Sequence, residues 1–180
     1  IILHQDIAKA KKPDPNNFNQ KYLSNYFSAI ISTKNHNDLK AISYFNNSKN
    51  LIKFHKNFLE NYVFSLVSSG KIKRSIVELK KFNSENLDVF FEGHLILFID
   101  SINNKNFEKA GSHLRELSKF QNNDTYQIII TETLRSYLDL FTNKKIIRTN
   151  KDFGKLSLIT NAFQLCYLNS KNSNLSLIHI

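Results

Sequence analysis

The sequence predicts an all-helical protein, an α-solenoid of stacked antiparallel helix hairpins. Two observations carry this. Ala41, Ser75 and Ala110 recur at spacings of 34 and 35, and each is followed four residues later by a large apolar residue, Phe45, Leu79 or Leu114. Between polar, turn-like stretches the apolar residues fall at helical spacing, so that the order helix, turn, helix occurs three times. A unit of roughly 35 residues is one helix hairpin, which cannot bury its apolar face alone and stacks on copies of itself.

The elements follow in order. Residues 1–16 carry Lys9, Lys11, Lys12, Pro13 and Pro15 and read as an irregular lead-in, because proline removes a donor and holds its predecessor extended. Repeats are expected over 17–141, as units at 18–48, 51–82 and 86–119 and a half-unit at 124–141. In the first unit Leu23, Tyr26, Phe27, Ile30 and Ile31 form a helical stripe. The polar stretch 32–37 ends it, and Asp38 is placed to cap a second helix carrying Leu39, Ile42 and Phe45. After a turn at 46–50 the pattern restarts with Leu51, Phe54, Phe58, Leu59, Tyr62, Val63 and Leu66, and stops at Gly70, which suits the left-handed end of a helix.

Its partner helix runs through Ile72, Ile76, Leu79 and Phe82. The third unit has an apolar helix from Val89 to Ile102, a turn at 103–106, and Phe107, Ala110, Leu114 and Leu117 after it. A seventh helix uses Tyr126, Ile129, Ile130, Leu134, Tyr137, Leu138 and Phe141. Its partner is missing: 142–152 is short and polar, a linker or degenerate helix. Residues 153–169, with Leu156, Ile159, Phe163 and Tyr167, read as the first helix of a truncated further unit that leaves an apolar face uncovered.

The ends carry a signal of their own. Residues 170–180 read as a tail, and its last six, 175–180, read LSLIHI, the translation in one frame of a transposon end used in sequencing-library preparation, and are expected to be artefactual. The chain starts at Ile1 and contains no Met, so a fragment of an environmental read is expected.

Composition bounds the function classes. With 41% apolar and 12% aromatic residues in 180, one sizeable core is expected. The single cysteine, Cys166, allows no intrachain disulfide and no multi-cysteine metal site, and it reads as a small core residue. No apolar run approaches the roughly 20 residues of a membrane-spanning helix. The formal charge of +10 raises a nucleic-acid reading. Against it, the basic residues are 21 Lys and 4 Arg beside 24 Asn and 20 Ile, residues with A/T-rich codons, and Arg, the better bidentate partner of phosphate, is the scarce one.

The quoted residues resemble the tetratricopeptide repeat, in a degenerate bacterial form such as small-genome marine alphaproteobacteria carry. Ala41-Ile42-Ser43-Tyr44-Phe45 is similar to the small-x-x-x-aromatic element of that family's second helix. Leu59, Tyr62, Val63 and Leu66, then His94, Leu97, Phe98 and Ser101, correspond to its first-helix positions. The family's tryptophan and closing proline are absent, and Val63 and Phe98 replace the usual small residue. The first unit matches only if its turn is about two residues longer. The resemblance implies a right-handed superhelix whose first helices line a concave groove. On that basis Asn57, Glu60, Asn61 and Phe64 of the middle unit, and Glu92, Leu95, Ile99 and Asn103 of the third, face a peptide or partner helix.

No reaction is encoded. The six histidines include no pair at i, i+4, so a helical zinc site is absent from the sequence, and His94 and His113 read as packing residues. Four glycines cannot build a phosphate-cradling loop. No cofactor is implied. The expected function is a non-catalytic interaction module with a protein or peptide partner. The alternative is a basic helical repeat that binds RNA or another polyanion through surface lysines such as Lys71, Lys73, Lys80 and Lys81.

Overall fold

A computed structural model describes residues 19–55, 57–84, 90–120, 124–146 and 152–169. The lead-in at 1–16, Val89, the turn residues 121–123, the linker centre 147–151 and the tail from 170 lie outside the described residues. The chain is all-helical: among the described residues there are eight α-helices and no strand. They are α1 (Gln20–Lys34), α2 (Asp38–Asn47), α3 (Phe58–Ser68), α4 (Ile72–Ser84), α5 (Phe91–Asn103), α6 (Phe107–Lys119), α7 (Thr125–Asn143) and α8 (Lys155–Asn169), with a 3-10 turn at Lys49–Lys53. Two compact units divide inside α4, one over 1–75 and the other over 76–180.

The turns repeat as closely as the helices. After α1, α3 and α5 the chain places His36, Gly70 and Lys105 in the left-handed region, at φ 55°, 75° and 55°. Each time the next residue sends its N–H back to a carbonyl five positions earlier: Asn37 to Ser32 at 2.8 Å, Lys71 to Leu66 at 2.8 Å and Asn106 to Ser101 at 2.9 Å. The left-handed residue itself bonds three back, at 3.0, 2.9 and 2.9 Å, which completes a Schellman ending. Asn37 and Asn106 then cap the following helices, accepting from the N–H of Lys40 and Lys109. Asn37, and not Asp38, is therefore the cap; Asp38 is the first helical residue. Four residues beyond Asn37, Lys71 and Asn106 come Ala41, Ser75 and Ala110, all three fully buried.

This corrects the reading of the first unit. Its turn has the same length as the others, and counting back from it puts Ala29 where Val63 and Phe98 stand, so the buried face of α1 is Tyr26, Ala29 and Ser32. Phe27 and Ile31, assigned to the inner stripe, are 54% and 60% exposed, and Leu39 is exposed too. Small residues on α1 let helices approach closely and so take the interior, leaving bulkier neighbours outside.

In the 1–75 unit α1 packs on α2 and α2 on α3. The chain after α2 does not restart a helix at Leu51. It makes the 3-10 turn, burying Leu51 and exposing Phe54, and α3 begins only at Phe58. The core is aromatic: Phe45 lies 5.3 Å from Phe58, 5.7 Å from Tyr62 and 6.2 Å from Tyr26, ring centre to ring centre. Tyr26 also stacks on Phe58 at 5.5 Å, and Thr33 shares a hydroxyl hydrogen bond with Ser65 at 2.9 Å. Contacting residue numbers rise together, so α1 and α3 run parallel, both against α2. Burying a ring such as Phe45 contributes about 2–3 kcal/mol, with about 1 kcal/mol more for well-placed ring pairs.

In the 76–180 unit α5 packs on α6, α6 on α7 and α7 on α8. Phe91, Phe98, Ala110, Leu114 and Leu117 form a buried cluster, flanked by Leu95, Ile102, Ile130, Leu134 and Leu138. Lys80 on α4 pairs with Asp100 on α5 at 2.7 Å. The last pair differs from a hairpin. Gln164 donates to Ser136 at 3.0 Å, Phe163 meets Tyr137 at 5.5 Å and Tyr167 meets Phe141 at 5.2 Å, so α7 and α8 run parallel.

Candidate functional site

The eight groove candidates sit on two helices in two units. On α3, Asn57, Glu60, Asn61 and Phe64 lie at i, i+3, i+4 and i+7, one face of the helix. Asn57 and Glu60 are exposed, Asn61 is half-buried and Phe64 is 58% exposed. Asn61 is partly committed to structure: its Nδ2 donates to the Asn57 carbonyl at 2.7 Å, and its side chain bonds Tyr26. Burial raises the Tyr26 phenol above its ordinary value, and that hydrogen bond partly offsets the rise.

On α5, Glu92 and Asn103 are exposed and Ile99 is 55% exposed, whereas Leu95 is half-buried and packs on the cluster of Phe91 and Phe98. Counting back from the two Schellman turns, Asn57 and Glu92 are equivalent, as are Glu60 and Leu95, and Phe64 and Ile99. The last pair is the informative one. A large apolar side chain is exposed at the same position, counted from the turn, of α3 and of α5.

On the neighbouring helix of the 1–75 unit, α1, Phe27 and Ile31 add two further exposed apolar groups one turn apart. Arg74, the one arginine of this unit, is engaged in structure: its guanidinium donates to Asn46 Oδ1 at 2.7 Å and to the Tyr62 hydroxyl at 3.0 Å, and Tyr62 in turn donates to Asn46. The basic cluster that begins at Lys71 therefore offers lysines.

One constellation went unseen in the sequence. His94 on α5 and His113 on α6 meet Nδ1 to Nδ1 at 3.2 Å, with His94 only 6% exposed. One imidazole donates and the other accepts, which requires the accepting ring to be neutral. Burial, then the neighbouring His113, pushes the His94 pKa down to about 4; burial also lowers His113. Glu116 opposes both shifts, and its own carboxyl is held low by the hydrogen bond from Lys119. The signal was available: 94 and 113 are related through the turn at 104–106, lying ten residues before its first residue and seven after its last. Among the described residues no group of three or more His, Cys, Asp or Glu is arranged to hold a metal ion.

Cys166 is exposed on α8, correcting its assignment to the core; Thr160 and Gln164 take the buried positions there. Leu158, Ile159 and Leu165 of α8 are exposed. No helix among the described residues is long and apolar enough to cross a membrane.

No family model, curated protein or solved structure matches this chain.

Proposed function

We propose that the chain is a tetratricopeptide-like helical repeat, with its hairpins stacked as an α-solenoid, and that it acts as a protein–protein interaction module. The partner is a peptide or helix held against the outward faces of the first helices. The observation that supports this most is the pairing of Phe64 with Ile99, exposed apolar residues at one position of a repeated hairpin. Such residues act as anchors when a partner covers them, with Asn57, Glu60, Glu92 and Asn103 as a polar surround. The function needs shape and anchors and no cofactor.

A pull-down from bacterial lysate at 50 mM and 500 mM salt, with a Glu60→Lys/Phe64→Ala variant alongside, tests the reading. A discrete protein partner that survives high salt and is lost with the variant supports it. Nucleic acid recovered only at low salt, equally by both forms, replaces it with the polyanion reading.

A further inference from the structure

The net charge is not spread along the chain. The 1–75 unit carries 12 basic and 4 acidic residues, a net +8, and the 76–180 unit 13 and 11, a net +2. Lysine is common in both; what separates them is the shortage of carboxylates in the first. A/T-rich coding enriches lysine and asparagine along a whole gene, and it does not remove aspartate and glutamate from one half. In the second unit carboxylates pair with the cations, as Lys80–Asp100, Lys119–Glu116 and Arg135–Glu132 show. Over 19–75 only Asp38 and Glu60 are acidic.

The same unit exposes Phe27 and Ile31 on α1 and Phe64 and Val67 on the parallel α3. Lys34 lies in the last turn of α1, three residues after Ile31, and Lys71 follows the turn that ends α3, four residues after Val67, so cations follow the apolar side chains on both helices and complement a chain that carries carboxylates among apolar residues. The guanidinium best suited to phosphate is bonded to Asn46 and Tyr62, which disfavours a nucleic-acid partner here. We infer that the α1–α3 face of the 1–75 unit docks an acidic peptide segment with apolar anchors. The inference rests on the interaction reading above and names the chemistry of its partner.

The test is selection of random 16-residue peptides displayed on phage against the intact chain, with poly(U) binding measured in parallel. Two double variants accompany it. Lys34→Gln/Lys71→Gln alters the α1–α3 face and Lys109→Gln/Lys155→Gln the second unit; all four side chains are exposed, so the fold is retained. The expected pool is rich in Asp and Glu interspersed with Leu, Ile and Phe. Its retention falls at least tenfold on the first double variant and less than twofold on the second. A pool with no acidic excess overturns the inference and leaves the interaction reading standing. Poly(U) binding with no peptide selected overturns both, and selection of nothing with no poly(U) binding overturns the inference.

Discussion

The α1–α2 and α5–α6 hairpins share a turn and fill it differently. Both close through a Schellman ending with a non-glycine residue in the left-handed region, and both bury an alanine, Ala41 or Ala110, early in the second helix. Inside, the first holds Phe45 among the rings of Tyr26, Phe58 and Tyr62, and the second holds the His94–His113 pair beside Leu114. The repeat is thus a property of backbone and turn. The interior is free to differ, and with it the response to acid.

Truncation separates the two most strongly. Phe45→Ala removes a fully buried ring with three aromatic neighbours and is expected to cost about 4 kcal/mol, against about 2.5 kcal/mol for Leu114→Ala in the other hairpin. Urea unfolding of the two variants checks this, and equal costs would erase the distinction between the cores.

Acid sharpens the comparison next. An unfolded histidine takes up a proton near 6.5, while folded His94 resists until about 4. Between those values the unfolded state binds more protons, so stability is intact above 6.5, declines as the pH falls, and levels off below about 4. The loss is on the order of 3 kcal/mol and belongs to α5 and α6. Amide exchange at pH 7 and pH 4.5, corrected for intrinsic rates, should show faster opening there and little change in α1 and α2. His94→Phe should flatten the dependence.

The smallest effect concerns what the hairpins share. Gly70→Ala puts a Cβ into open space at φ 75°, so only backbone strain acts and the cost is about 1 kcal/mol. His36→Gly and Lys105→Gly relieve the same strain, and thermal unfolding should show each stabilised by about 0.5 kcal/mol, net of the entropy glycine adds to the unfolded chain.

Most of the helices were legible because their apolar spacing is strong and the period repeats. The misread parts have physical reasons. On α1 the buried positions are Ala29 and Ser32, too small to register in an apolar stripe that Phe27 and Ile31 dominate. Residues 51–54 continue a helical pattern, yet the chain takes a 3-10 turn that seats Leu51 between α1 and α3. The histidine pair joins residues 19 apart and emerges only once the turn between them is placed. For the candidate site, the exposure of Phe64 and Ile99 agrees with their helical spacing, while the exposure of Phe27 and Ile31 on α1 depends on the rotation of that helix, set by its turn.

The claim on which the interaction reading rests is that one hairpin is repeated with one turn. Solution NMR of the chain, reading three-bond HN–Hα couplings and Cα and Cβ shifts at His36, Gly70 and Lys105, tests it most directly. The expected result is left-handed φ at all three, at intervals of 34 and 35 residues. A right-handed or extended value at His36 or Lys105 would contradict it, because the turns would then differ and the equivalence of Phe64 with Ile99 would be lost.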